Sequence, residues 1–422
     1  MDFSRASFGL LAVCAFGYIV LLRLVLAKLN GNVRAAAFAI INLVAYTVVF
    51  LPQQVSQTTA LTIFALYFTV VSFQWVTMRR FAQANGNWPW VAFLIPIVFM
   101  ICVKYGGKDD NILTTALSFA DVNLGVPLTV FFVGISYLAF RSSYLVLEVR
   151  NGTVPVPSYF EYMGFCFFLP TSFLGPISPY SRFRESFLNG RENIQYFRSM
   201  GRICIGCGKY FFLGALFNQL AYDGLVNDGN LHPGRLDFVI AAVCYYFYIF
   251  CNFSGFCDIV IGISGLLGID IAENFDNPFI ARNIREFWNR WHITLSQYMR
   301  DVVFTPLSKA LVSLFGPRNA SHAIGVSVFV VFLLVGLWHG VSWNFIVFGL
   351  AMAFGVVIHY YYTLLLKKIL GRNGFEIYNK SIIIRVISTV ITFMYMTCSF
   401  VLFAWHSRGM VMYIVTQFWH GH

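Results

Sequence analysis

Charge is scarce in this chain. Only 11% of its 422 residues are Asp, Glu, Lys or Arg, where a soluble globular domain carries about 25%. With 58% hydrophobic residues and a mean hydropathy of +0.70, the chain has too little polar surface to cover a soluble protein of this length. Acidic residues are the scarcest, 18 against 29 Lys and Arg, for a net charge of +11. The basic residues sit between apolar runs and form no domain-sized surface, which argues against nucleic-acid binding. They read instead as cytoplasmic loop markers, with docking of an acidic partner left open.

Other signatures are missing too. No Gly-x-Ser-x-Gly elbow and no Walker sequence occurs, which disfavours a serine-nucleophile hydrolase and an ATP-driven pump. No Cys or carboxylate stands at metal-ligand spacing from the histidines of interest, so no metal site is expected. The nine Cys lie mostly in apolar runs. Cys204 and Cys207 have redox-motif spacing without the surrounding βαβ pattern, and read as small packing residues. Neither an internal repeat nor a low-complexity segment is present. The first apolar run lacks a small-residue cleavage site and reads as a first span.

What the chain has in quantity is apolar length. Runs of about 20 residues, enough to cross a hydrocarbon core, fall at roughly 7–29, 35–52, 58–78, 88–104, 124–148, 203–222, 236–266, 321–338, 342–366 and 381–405. Short polar turns join most of them, which predicts one helical membrane domain over 1–422. Arg23, Lys28, Arg34, Arg79, Arg80 and Arg150 alternate with an uncharged loop at 52–57 and a loop near 104–111 whose two Lys are offset by Asp109 and Asp110, which puts the N-terminus outside. Residues 159–177 are apolar but hold Pro170, Gly175 and Pro176, and basic residues follow. A broken or re-entrant segment beside a cavity is expected there. Residues 270–320 are the least hydrophobic. Phe287, Trp291, Leu295, Tyr298 and Met299 recur near helical spacing, which predicts an interfacial amphipathic helix with its apolar face in the headgroup boundary.

Two histidines stand out. His292 lies in Phe287-Trp288-Asn289-Arg290-Trp291-His292-Ile293-Thr294, and His339 in Gly336-Leu337-Trp338-His339-Gly340. A span-end or interfacial histidine held by a neighbour is the plainer reading of each. An ionisable residue at a membrane segment is nonetheless a functional-site hypothesis, and neutral imidazole can take a proton from an attacking hydroxyl near neutral pH. His339 is the candidate base; His292 would orient a donor or polarise an acyl carbonyl. Gly336 and Gly340 would permit close approach of a helix or a narrow substrate. Asn252, Ser254 and Asp258 put polar groups inside the run 236–266, either as an interhelical hydrogen-bond cluster or as the wall of a passage. His232, His322, His359, His406, His420 and His422 read as structural or solvated.

Together these motifs resemble the membrane-bound O-acyltransferase family (MBOAT). The resemblance rests on Asn252-Phe253-Ser254-Gly255-Phe256-Cys257-Asp258, Glu273-Asn274-Phe275-Asp276-Asn277-Pro278-Phe279, Glu286 to His292, Arg300-Asp301, and Gly336 to Gly340 with Trp343. Gly134 to Arg141 and Gly175 to Phe183 extend it upstream, and lean it toward the bacterial branch of D-alanyl transfer (DltB-like) and alginate O-acetylation (AlgI-like) proteins, the former favoured and the latter the alternative. It implies an all-α polytopic fold with about 10–11 transmembrane helices, re-entrant or interfacial helices and a central tunnel. N-terminal spans would occupy 1–120, the motif-bearing core 130–350, and further spans 351–422. His339 matches the family's catalytic histidine and His292 its second motif histidine, and both are candidate catalytic residues. Trp338, Trp291, Asn289, Arg290, Asn252, Ser254, Asp258 and Asn274 fall in its tunnel motifs. The basic Arg282, Arg285, Arg300 and Lys309 would dock the donor. The family implies no tightly bound cofactor and no metal. The donor would be a phosphopantetheine thioester, on a carrier protein or coenzyme A. The acceptor would be an extracytoplasmic partner protein or envelope polymer, and the site of action the bacterial cytoplasmic membrane. A flippase moving an intact envelope precursor, or a scaffold, remains the alternative class.

Overall fold

The computed structural model describes residues 5–50, 57–84, 86–105, 134–189, 194–221, 235–340 and 342–404. His232, His406, His420 and His422, and the start of the expected span at 124–148, lie outside them. Among the described residues the regular structure is helical, joined by turns and loops, with one isolated bridge between Phe275 and Trp291. The chain forms two compact units: Met1–Ile205 with Cys257–Ala272, and Gly206–Phe256 with Glu273–His422.

In the first unit run α1 (Arg5–Lys28), α2 (Gly31–Phe50), α3 (Gln57–Phe81), α4 (Trp88–Tyr105), α5 (Ile135–Arg150), α6 (Tyr159–Cys166), α7 (Tyr180–Asn189) and most of α8 (Tyr196–Cys207). α2 packs on α1 and α6, and α4 on α3 and α5. The core is aromatic: the Phe38 ring lies 5.8 Å from Phe168 and 5.1 Å from Phe187. The segment 159–177 is broken, as expected. The eight residues of α6 span only about 12 Å, too short to cross a core of about 30 Å, and a tight turn at Leu169–Thr171 follows. Phe165, Phe167 and Phe168 from this segment are fully buried.

The motif Gly134 to Arg141 now has a physical account. Gly134 is left-handed, at φ 76°, and a Cβ there would lie 1.8 Å from the carbonyl oxygen of Ser172, so only glycine fits. Two turns on, the buried Arg141 guanidinium donates to the carbonyl of Cys166 at 2.6 Å and to the Thr171 hydroxyl. Both residues pin the broken segment.

α10 (Arg235–Leu267) contributes its first part to the second unit and the rest to the first. The second unit adds a π-helical stretch at Gly208–Leu213, α9 (Gly214–Gln219), α11 (Ile284–Arg290), α12 (Ile293–Met299), α13 (Thr305–Phe315), α14 (Ala320–His339), α15 (Trp343–Lys380) and α16 (Ile382–Ala404). α14 lies along α15, where Gly336 and Gly349 face each other. A Cβ on Gly336 would meet the Gly349 Cα at 2.9 Å and the Phe345 carbonyl oxygen at 2.5 Å. α15 breaks at Gly371, whose φ of 64° is non-helical. The core gathers on Tyr246, with Phe400 5.0 Å and Phe279 5.2 Å from its ring.

The single interfacial helix expected around 284–299 is instead two short ones. Trp291 is extended and His292 left-handed, so the chain turns between α11 and α12. Phe287, Trp291, Leu295, Tyr298 and Met299 are all buried. Phe287 and Trp291 face Tyr246 and Phe400, so this apolar face meets protein, not the headgroup boundary.

Seven helices among the described residues are long and apolar enough to cross a membrane: Gly31–Val49, Trp88–Tyr105, Tyr196–Gln219, Leu236–Leu267, Pro317–His339, Trp343–Lys380 and Ile382–Phe403. Of the other expected spans, α1 and α3 have 24 and 25 residues, long enough to cross at about 1.5 Å per residue. Large apolar side chains lie exposed on the membrane-length helices, Val48 and Leu236 at 77% among them. Apolar exposure on this scale marks a surface that meets lipid.

Candidate active site

His292 is held in an unusual backbone state. Its φ of 45° and ψ of 52° put a non-glycine residue in the left-handed region, which costs on the order of 1–3 kcal/mol and persists only where neighbours over-determine it. The neighbours are visible. The Ile293 amide donates to the Asn274 carbonyl at 3.0 Å, and the Asp276 amide to the Arg290 carbonyl at 2.9 Å. The loop 273–277 thus runs as a short antiparallel partner to Arg290–Ile293.

The side chain of Asn274, fully buried, completes the hold. Its Oδ1 accepts from the Thr294 amide at 3.1 Å and the Thr294 hydroxyl at 2.8 Å, and lies 3.2 Å from Nδ1 of His292. A backbone amide can only donate, so the Asn274 atom it meets is the oxygen. That oxygen can only accept, so His292 Nδ1 carries the proton. The lone pair then sits on Nε2, which is buried and has no hydrogen-bond partner among the described residues. Burial, and after it the nearby His339, push the His292 pKa down to about 3. The imidazole is neutral at physiological pH.

His339 closes α14 and is half-buried. The Trp338 indole touches both imidazoles, with its centroid 4.5 Å from His339 and 6.4 Å from His292. Phe253 stands edge-on to His292 at 4.7 Å, and Phe403 edge-on to His339 at 4.9 Å. Phe345 stacks on His339 at 5.9 Å. The two sequence-chosen histidines, 47 positions apart, therefore share one aromatic cage. Thr294, Phe253, Phe345 and Phe403 were not singled out by sequence. Thr294 follows His292 by two positions, but the phenylalanines were indistinguishable from ordinary apolar residues.

The other predicted site residues divide. Asn274, Trp338 and Trp291 belong to the cage or its support. Ser254 is buried beside Phe253, its hydroxyl without a partner among the described residues. Asn252 is half-buried on the same helix. Arg290 is a clamp: its guanidinium reaches Glu286 at 3.2 Å and both the carboxylate and the carbonyl of Asp276 at 3.1 Å. Asn289 is exposed and accepts from Arg300 at 3.1 Å. Asp258 belongs to the first unit, where it pairs with Arg202 at 2.9 Å, an interhelical tie of the kind weighed beside the passage reading. Arg285, Arg300 and Lys309 are exposed, and Arg282 is half-buried. No group of three or more His, Cys, Asp or Glu stands together for a metal among the described residues.

Comparison with known proteins fits this arrangement to a family. Residues 118–405 match the membrane-bound O-acyltransferase family. The chain belongs to that family. It is a multi-pass membrane acyltransferase. It is 29% identical over 324 residues to the teichoic acid D-alanyltransferase of Streptococcus thermophilus, covering 74% of each chain. With the teichoic acid D-alanyltransferase of Bacillus subtilis it shares 32% identity over 225 residues, 52% of this chain and 56% of that one. With the probable alginate O-acetylase of Azotobacter vinelandii it shares 26% over 287 residues, 65% of this chain and 55% of that one.

Proposed function

We propose that this protein moves a D-alanyl group from a cytoplasmic phosphopantetheine thioester to a hydroxyl of an envelope polymer or its partner protein, in the bacterial cytoplasmic membrane. An acetyl donor is the second reading, favoured by the acetylase relative. The observation that carries the proposal is the shared cage of His292 and His339, one of them held as a neutral acceptor.

The chemistry follows from those groups. An acceptor hydroxyl enters the cage and gives its proton to His339 as its oxygen attacks the thioester carbonyl. The new C–O bond forms, the C–S bond breaks, and the proton passes from His339 to the departing thiolate, so the thiol leaves neutral. His292 offers only a lone pair at Nε2, which does not suit polarising the carbonyl, since polarisation needs a donor. The aromatic walls keep water away from the thioester. A tunnel joining the two membrane faces would admit the thin pantetheine arm. Of the four expected docking cations, the exposed Arg285, Arg300 and Lys309 would steer an anionic carrier protein or coenzyme A, an attraction that weakens with salt, whereas Arg282 is half-buried on the wall of a separate cavity.

The test is transfer in reconstituted vesicles from labelled D-alanyl carrier protein and labelled acetyl coenzyme A, with acceptor and partner supplied. Wild type consumes the D-alanyl donor. His339→Ala loses about 10²–10⁴-fold, the usual worth of base catalysis, while keeping its helical content. Consumption of acetyl coenzyme A alone selects the second reading. Consumption of neither, or full activity in His339→Ala, overturns the mechanism.

A further inference from the structure

A cavity of about 730 Å³ opens among α11, α15 and α16. The transferase reading does not use it. No ring of the histidine cage lines it, and the histidine on its wall, His359, is about 21 Å along α15 from Phe345 at 1.5 Å per residue.

The break at Gly371 builds this cavity. Tyr362 and Tyr378 share a hydroxyl hydrogen bond of 3.0 Å, whereas an unbroken helix would hold them about 24 Å apart. Residues 372–380 therefore fold back, and Phe375 and Tyr378 cover part of the opening. Ile358, Ile387 and Ile391 line it with apolar surface. Arg282 and Arg385 line it too, and among the described residues neither guanidinium has a carboxylate within ion-pair distance. The acid on the wall, Glu286, is already taken by Arg290 at 3.2 Å and by the Arg282 amide at 3.0 Å. The cavity is thus apolar with two uncompensated cations, between two helices long enough to span a membrane. Its end of α15 also carries Lys367, Lys368, Arg372 and Lys380. Such clustering marks the cytoplasmic side, where the leaflet is anionic, and basic pockets between transmembrane helices take phosphorylated headgroups.

We propose that this cavity is a binding site for an anionic glycerophospholipid, its phosphate held by Arg282 and Arg385 and its acyl chains lying along Ile358, Ile387 and Ile391. The site is independent of the acyl-transfer reading. It would fix α15, α16 and the segment leading into α11 against one another from the lipid side.

The experiment titrates the delipidated full chain in detergent with dioleoylphosphatidylglycerol or dioleoylphosphatidylcholine, and counts bound lipid by native mass spectrometry. Phosphatidylglycerol binds at least about ten-fold tighter, a preference of about 1.4 kcal/mol. Arg385→Gln, at an exposed position, removes the preference, and Arg385→Lys restores part of it. Ile387→Trp, which fills the cavity, removes the tight site for both lipids. Equal binding of the two lipids by wild type, or an unchanged preference in Arg385→Gln, overturns the proposal. So does displacement of the lipid by coenzyme A or phosphopantetheine, which would assign the cationic pair to the donor's phosphate.

Discussion

The side-chain oxygen of Asn274 lies 3.2 Å from Nδ1 of His292 and has no proton to give. One amide thereby decides where the imidazole carries its proton and leaves the lone pair at Nε2 facing a space without a partner among the described residues. Asn274→Asp keeps the shape and reverses the logic. A buried carboxylate favours the imidazolium, so His292 gains a second proton near neutral pH and Nε2 becomes a donor. Transfer at pH 7 should fall on the order of 10²-fold and recover as pH rises. Asn274→Ala removes the shared acceptor of the Thr294 amide, the Thr294 hydroxyl and the imidazole N–H, at about 1–3 kcal/mol per buried group that loses its bond. It should lose activity at every pH. A wild-type pH–rate profile in the aspartate variant would show that this contact does not set the proton state.

The low pKa of His292 also makes stability pH-dependent. In the folded chain it takes a proton only near pH 3, because burial, reinforced by His339, disfavours the charged form. In the unfolded chain it does so near 6.5. Between those values the unfolded state binds the extra proton, so stability is full above about 6.5 and falls as pH drops, by about 1.4 kcal/mol per unit. Thermal melts in detergent from pH 7.5 to 5 should show wild type losing stability more steeply than His292→Gln. Parallel curves would mean that some other group carries the acid sensitivity.

Helices and histidines were legible because apolar length and the cost of a polar ring in lipid are properties of sequence alone. The Trp-flanked motifs located His292 and His339 without any contact information. What escaped is what depends on backbone turns. The apolar spacing from Phe287 to Met299 is nearly helical, so nothing marked the left-handed residue at His292 that splits it. That turn is imposed from outside, by hydrogen bonds from the loop at 273–277. Arg290 read as a passage residue because it sits in the motif, but Glu286 one turn before it and Asp276 across the bridge engage it as a clamp. Gly371 lies past the end of an expected span, between Ile369-Leu370 and Arg372-Asn373, with nothing in that pattern to mark a reversal. The Tyr362–Tyr378 contact and the left-handed φ of Gly371 reveal that the chain reverses there.

Gly336 was expected to permit close approach, and its partner is Gly349. A methyl at Gly336 would stand 2.5 Å from the Phe345 carbonyl oxygen and 2.9 Å from the Gly349 Cα. Both obstacles are backbone, so α14 must move away from α15. Overpacking of this kind costs about 1–3 kcal/mol. Because His339 ends the same helix three residues later, Gly336→Ala should reduce transfer further than its loss of stability accounts for. Gly201→Ala is the control: nothing lies within 4 Å of the added methyl, and alanine is the better helix former by about 1 kcal/mol. If Gly336→Ala melts and turns over like Gly201→Ala, the close crossing is not what positions His339.

Arg290 offers a test of how the loop at 273–277 is held. Its planar fork reaches Glu286 through Nε and Asp276 through Nη1, the carboxylate and the carbonyl of Asp276 both at 3.1 Å. Lysine keeps the charge but cannot serve these directions at once. With the Arg290 side chain a quarter exposed and that of Asp276 well exposed, solvent screening limits the stability loss to about 1 kcal/mol. The functional loss should be larger, because a looser loop releases Asn274 and with it the fixed tautomer of His292. Arg290→Lys should therefore shift the pH–rate profile in addition to lowering its height, as Asn274→Ala lowers it without restoring a single proton arrangement. A purely scaled-down profile in Arg290→Lys would separate the clamp from the tautomer and show that Asn274 is held without it.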